Sequence, residues 1–282
     1  MYPIAISTCG VPVTPAMLTA CRDAGITHIE LSYNKAAYDA MDLSAVVTMI
    51  SAHGLTPWSL HLPFSRELDI SLGDPALRGA TMACHQDLMR RGAALGIPVF
   101  VIHPSSEPIP CEDRAVRMAQ ARESLSLLAE PAVTLGVTLA VEDLPRTCLG
   151  NCSAEMNELL SAHPALRSCF DTNHLLGEDA TAYIRAVGDR IVTTHVSDYD
   201  FVNERHWLPG EGKQDFLAIL SALREVGYAG PWLYELGLST PKSIIRPREL
   251  TYADFGENAK ALFAGERPAP VGTPVEGLGM WA

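Results

Sequence analysis

The sequence predicts a single-domain (β/α)8 barrel, and three observations lead there. Eight short apolar runs recur along the chain, helical patterns separate them, and the longer polar connections follow the apolar runs rather than precede them. Several runs, such as PVFVIH and VTLAVE, are almost continuously apolar, which suits parallel strands covered on both faces. Right-handed strand–helix–strand crossovers repeated in this way close into a barrel, which takes about 250 residues as one domain. A length of 282 residues with 48% hydrophobic content is enough for that core. An open doubly wound sheet is the competing architecture, but no GxGxxG follows the first run.

In order, the predicted strands cover residues 2–7, 27–32, 56–61, 98–103, 137–142, 166–171, 190–195 and 232–235. Apolar residues at helical spacing mark helices over 42–52, 75–94, 112–135, 154–162, 180–187, 215–226 and 252–263. Gly25, Gly54, Gly96, Gly136, Gly188 and Gly227 each end a helical pattern just before the next strand, as C′ glycines do. The connections after strands are longer and polar or rich in Pro and Gly, notably 61–73, 103–111, 143–151, 196–213 and 236–249. In a barrel these loops share one face and build the site. The barrel is expected over 1–264, followed by a Pro/Gly-rich tail over 265–282 in which Met280 and Trp281 are candidate anchors.

Charge narrows the function classes. The chain has 21 Lys+Arg against 33 Asp+Glu, a net charge of −12 with only four lysines, which argues against a broad nucleic-acid or anionic-membrane surface. No apolar run reaches the roughly 20 residues of a bilayer span, and MYPIAISTCG lacks the features of a signal peptide, so a cytoplasmic location is expected. The seven cysteines are scattered and form no CxxC, so most read as small buried hydrophobes rather than as a disulfide framework.

The ends of the predicted strands carry Glu30, His61, His103, Glu142, Asp171, His195 and Glu235. Imidazoles and carboxylates are the groups that bind divalent metals and move protons, and a buried acidic cluster is costly without a cation among the carboxylates. Glu142, Asp171, His195 and Glu235, converging from strands five to eight, read as metal ligands. Glu30 reads as a structural hydrogen-bonder. His61, His103 and His206 suit a sugar hydroxyl or a second metal equally well. Arg205, in a loop closed by LPGEG, suits either an oxyanion or an ion pair. Trp58, Phe64 and Trp207 suit either stacking on a sugar face or packing. Arg66, Arg146, Arg246 and Arg248 are candidate anion ligands that leave substrate phosphorylation open.

SLHLPF, VIHPS, AVEDLP, DTNH, THVSD, ERHWLPGEG and YELG, in that order, resemble the xylose-isomerase-like TIM barrel superfamily from about residue 4 to about residue 263. That group joins sugar isomerases and epimerases, inosose dehydratases, hydroxypyruvate isomerases and endonuclease IV-type repair enzymes. Resemblance to its ketose epimerase and isomerase branch implies one divalent cation, foremost manganese, with magnesium, cobalt or zinc as alternatives, on Glu142, Asp171, His195 and Glu235. It further implies that Glu142 and Glu235 act as base and acid on either side of the substrate carbon, while His174 and Arg205 hold substrate oxygens. His61, His103, His206 and Trp58 complete the expected substrate-binding set. The implied activity is isomerisation or epimerisation of a small sugar, keto-sugar or polyol through a metal-bound cis-enediolate, with a homo-oligomer as the expected assembly. An inosose-type dehydratase is the alternative. The ligand count, with Glu204 where that branch has Asp, also suits a three-zinc phosphodiesterase, which is further off because the loops that would grip phosphates contain few cations.

Overall fold

Side chains alternate across a strand, so in a barrel every second residue faces the axis and the others face the helices. The computed structural model describes residues 1–280 and contains strands β1 Ile4–Ser7, β2 His28–Ser32, β3 Thr56–His61, β4 Val99–Ile102, β5 Thr138–Glu142, β6 Arg167–Asp171, β7 Ile191–His195 and β8 Trp232–Tyr234. All eight are parallel and ordered as in the chain, with β1 also paired to β8. The ring closes just above β7, where Val196 N donates to Leu233 O at 2.8 Å and Glu235 N donates to Val196 O at 3.1 Å. The predicted (β/α)8 barrel is therefore the fold.

The helices are α1 Pro15–Asp23, α2 Lys35–Ala40, α3 Leu43–Ala52, α4 Pro75–Ala93, α5 Arg114–Leu135, α6 Ser153–Leu160, α7 Ala180–Val187, α8 Phe216–Glu225 and α9 Tyr252–Phe263. Asp42 and Asp215 begin helical runs in the sequence but are N-caps in the structure, accepting from Ala45 N at 3.0 Å and Ala218 N at 3.2 Å. The outer faces of the strands, with Phe100, Phe170 and Trp232, pack under this helical ring as the main core. Inside the barrel, Val99, Val101, Ala140 and Cys169 form a separate small cluster against which Trp58 and Val192 pack. Two residues further along the same strands or just past them stand His103, Glu142 and Asp171. The period of two thus carries each strand from an apolar floor to a polar mouth.

A bulge in β3 fixes what meets β2. Ile29 pairs with Pro57 and Glu30 with Ser59, leaving Trp58 as the extra residue. Trp58 is accordingly an interior packing residue whose indole N–H donates to Thr193 Oγ1 at 3.2 Å. The cysteines divide between environments: Cys21, Cys148 and Cys169 are buried, whereas Cys9 and Cys111 are exposed, so burial holds for fewer of them than expected.

The C-terminal segment folds back on the barrel. A two-residue strand β9, Ile244–Ile245, pairs antiparallel with β10, Thr273–Pro274, and Gly272 N donates to Glu211 Oε1 at 2.8 Å. Met280 accepts from Asn203 through its carbonyl, while Trp281 lies outside the described residues.

Helix α9 closes the ring against α1 at a position only glycine allows. A Cβ on Gly256 would stand 2.1 Å from the carbonyl oxygen of Ala24. Gly256→Ala is expected to cost at least about 2 kcal/mol, lowering Tm by about 4–8 °C in a chain of this size. Gly79→Ala in α4, where nothing lies within 4 Å, is the control and should leave Tm unchanged or slightly higher. Thermal denaturation followed by circular dichroism distinguishes the two.

Candidate active site

The site begins with Glu142 at the end of β5, buried, with its two oxygens facing different partners. Oε2 lies 2.9 Å from His61 Nε2 at the end of β3 and 3.1 Å from His103 Nε2 just past β4. Oε1 lies 2.9 Å from Nδ1 of His195 at the end of β7. The same Nδ1 stands 3.2 Å from Glu235 Oε2, just past β8, and 4.0 Å from Asp171 Oδ2 at the end of β6. Ligand atoms of Glu142, Asp171, His195 and Glu235 thus all lie within 4.8 Å of one another. Glu30 lies two residues inside β2 rather than at its end, with its carboxylate against the far side of the His195 ring.

These residues fit a divalent cation on two physical counts. A cation holding oxygen and nitrogen donors at about 2.1 Å separates neighbouring donors by about 3 Å, close to the spacings around His195 Nδ1. Asp171 Oδ2 is buried and has no hydrogen-bond partner, a costly arrangement that a cation relieves. Burial drives the Asp171 carboxyl well above the ordinary carboxylate range, against the charge of His174. For Glu142, burial pulls the same way, but His195 and His103 overturn it and hold the carboxyl well below that range. Glu235 is likewise lowered, because His195 outweighs the effect of burial.

Above this cluster opens a cavity of about 630 Å3. Glu142, Glu235, His61, His103, His174 and His206 all reach its wall. Asp171 and His195 are buried behind them. Phe64 also lines it and lies over His103 with ring centroids 3.8 Å apart. His174 Nδ1 is 2.7 Å from the Asp143 carbonyl and 3.4 Å from Asp171 Oδ2, while its Nε2 is 3.0 Å from Glu204 Oε1.

Five sequence candidates lie elsewhere: Trp58, Arg205, Trp207, Arg246 and Arg248. Trp58 is in the barrel floor, away from the cavity wall. Arg205 is buried away from the cavity wall, with Nε donating to Asp200 Oδ2 at 2.8 Å and a terminal nitrogen to the Gly279 carbonyl at 2.9 Å. Its neighbours Glu204 and His206 line the cavity instead. Arg146 takes the place on the wall, joined to Glu107 at 2.5 Å, to Asn203 Oδ1 at 2.6 Å and to Glu204. Arg66 lines the outer mouth, whereas Arg246 is buried against Glu211 and Arg248 pairs with Asp254. Trp207 is buried, its indole donating to Ser243 Oγ at 2.9 Å, so it packs instead of lining the cavity.

Asp198 was legible only as part of THVSD, yet it builds the loop that carries Glu204 and His206. Its Oδ1 accepts from Tyr199 N at 2.8 Å and Gln214 N at 3.1 Å, and its Oδ2 accepts from Gly210 N at 2.9 Å and Gly212 N at 2.8 Å. Burial raises this carboxyl to about 6 despite those amides. Gly212 is required by the approach, since a Cβ there would lie 2.3 Å from Asp198 Oδ1.

A family model described as xylose isomerase-like TIM barrel matches residues 18–254. The chain belongs to this family. It is 31% identical to fructoselysine 3-epimerase of Escherichia coli O157:H7 over 122 residues, 40% of this chain and 44% of that protein. It is 25% identical to ketose 3-epimerase of Arthrobacter globiformis over 238 residues, 80% of this chain and 77% of that protein. The chain spans less than two thirds of the length of the curated relatives it matches first. The solved structure of an L-ribulose 3-epimerase superposes with a TM-score of 0.78 at 22% identity, covering 94% of each chain, which supports the fold.

Asp198→Asn in this xylose isomerase-like barrel puts an amide nitrogen against two backbone donors. The expected cost is about 2–4 kcal/mol, with faster proteolytic cleavage within 199–214. Chemical denaturation and limited proteolysis check it, and an unchanged cleavage rate would remove Asp198 as the organiser of that loop.

Proposed function

We propose that this chain is a divalent-metal-dependent epimerase or isomerase of a small ketose-type sugar or polyol. One observation carries the reading: Glu142 and Glu235, from opposite parts of the barrel, reach the same cavity and converge on His195 Nδ1, with Asp171 completing the donor set. Glu142, Asp171, His195 and Glu235 would hold the cation, foremost Mn2+, with Mg2+, Co2+ or Zn2+ as alternatives for a donor set of mostly carboxylate oxygen. When bound, such a cation polarises a carbonyl oxygen and eases removal of the neighbouring proton. The 3-epimerase relatives support this chemistry.

The chain's own groups perform the rest. Both glutamates are held ionised and so are competent to accept a proton from a substrate carbon. One glutamate takes the proton from its face of the carbon, and the other, once it has taken a proton from solvent in the cavity, delivers that proton to the opposite face, inverting the carbon through a cis-enediolate. His61, His103, His174 and His206 line the cavity that would receive the substrate hydroxyls, and Phe64 packs over His103. Arg146 acts on the wall through Glu204, which holds His174 Nε2.

A second reading rests on a specific cluster. His61, His103 and Glu142 also have ligand atoms within 4.8 Å of one another and would accept a second ion, as a multi-zinc phosphodiesterase requires. An inosose-type dehydratase would use the first site alone. Elemental analysis of protein purified without added metal separates them: close to one labile Mn, Co or Mg per chain supports the epimerase or dehydratase, and two or three tightly held zinc ions support the phosphodiesterase.

Removal of the cation should lower stability. At a hundredfold excess over its Kd, a bound cation adds about 2.7 kcal/mol, so restoring Mn2+ to chelated protein should raise Tm by about 5–10 °C. No shift with any divalent cation would overturn the metal reading.

Glu235→Gln should cut turnover by about 100- to 10,000-fold while some metal is retained, because the amide offers an oxygen but takes no proton. The assay is solvent deuterium incorporation into ketoses and inososes, followed by NMR. Epimerised product carrying carbon-bound deuterium supports the reading, and wild-type exchange in the variant removes Glu235 from the chemistry.

A further inference from the structure

Glu30 is buried in the barrel interior on β2, and its carboxylate meets a group from the opposite wall. Nε2 of His195, on β7, lies 3.1 Å from Oε1 and 3.2 Å from Oε2. Ser59 Oγ donates to Oε2 at 2.7 Å, and the β3 bulge sets Ser59 directly beside Glu30. On the other side of the ring, Nδ1 faces Glu142 and Glu235 at 2.9 Å and 3.2 Å. The imidazole is therefore clamped between carboxylates at both nitrogens.

We propose that Glu30 is a positioning residue that holds the His195 ring hydrogen on Nε2 and so leaves the Nδ1 lone pair facing Glu142, Asp171 and Glu235. The inference rests on the divalent-cation reading of that site. A neutral imidazole carries one ring hydrogen, and a nitrogen that carries it is no ligand. Without a strong acceptor at Nε2, the hydrogen would move to Nδ1, where the Glu142 and Glu235 oxygens would accept it and block the cation position. Glu30 supplies that acceptor, as a carboxylate behind a ligating histidine does when it fixes the ring and raises its basicity. Ser59 keeps the Glu30 carboxylate from rotating away, and the bulge that spends Trp58 on the floor brings Ser59 into place.

The test compares wild type, Glu30→Gln and Glu30→Ala. Co2+ affinity is measured by competition with a chromophoric chelator, and the ring nitrogens of His195 are followed by long-range 1H–15N correlation on histidine-labelled protein loaded with Mg2+. Glu30→Ala is expected to weaken Co2+ binding about 10- to 100-fold. Glu30→Gln, whose amide oxygen still accepts a hydrogen bond, should fall between Ala and wild type, with the His195 Nε2–H resonance shifted from its wild-type position. If Glu30→Ala does not fold, Glu30→Gln decides alone. A variant that is folded by circular dichroism and binds Co2+ with the wild-type Kd overturns the proposal, even where its Tm is lower, because that is what a merely structural carboxylate gives. Failure of the wild type to bind any divalent cation overturns the metal reading itself together with this one, whereas normal wild-type binding matched by Glu30→Gln overturns only the role of Glu30.

Discussion

Everything at the mouth of this barrel answers to one constraint, the burial of Glu30, Glu142 and Asp171 beside His195 at the base of the cavity. Isolated charges there would cost several kcal/mol each. The protein meets this by giving most of these oxygens an imidazole, hydroxyl or backbone-amide partner: His61, His103 and His195 around Glu142, Ser59 and His195 at Glu30, and the Asn173 backbone amide at Asp171 Oδ1. Asp171 Oδ2 is left without a hydrogen bond, as is Glu30 Oε1, and Asp171 is one of the four donors of the cluster. The strand period makes such a cluster possible, since residues two positions earlier supply an apolar floor that fixes its depth.

Above that level the loops are held by a second polar frame. Asp198 gathers four backbone amides, and Glu211 takes Arg246 and the Gly272 amide, so the connection after β7 and the C-terminal segment form one wall. Arg205 belongs to this frame through Asp200 and Gly279, which hold it away from the cavity wall. The loop thereby commits Glu204 and His206 to the cavity and leaves the positive charge on that wall to Arg146, which comes from the connection after β5.

Much of this was legible. Strand periodicity and the C′ glycines located eight strands and seven of the helices, because fully buried parallel strands leave an unbroken apolar signature. Helix α1 showed only through Gly25 after its end, and α2, with six residues, leaves too few turns for a pattern. Strand ends named the groups at the mouth because a barrel delivers its strand termini to one place. What the sequence concealed was orientation within irregular backbone. The β3 bulge sends Trp58 to the floor, and the positive φ of 50° at His206 belongs to a loop in which Arg205 is buried away from the cavity wall. Glu30 showed only as an acidic residue near a strand end, since its partner is 165 positions away in sequence.

The charge of the cavity wall separates the candidate substrates more sharply than the donor cluster does. Histidine-rich clusters serve sugar chemistry and phosphodiester chemistry alike. A nucleic-acid backbone, however, is bound by cations that displace its counterions. Among the described residues lining the cavity, only Arg66 and Arg146 carry a permanent positive charge, and Arg146 is already compensated by Glu107 and Glu204. The wall therefore presents imidazoles, serine hydroxyls, one aromatic face and the carboxylates of Glu107, Glu142, Glu204 and Glu235, with no excess positive charge to displace the counterions of a nucleic-acid backbone.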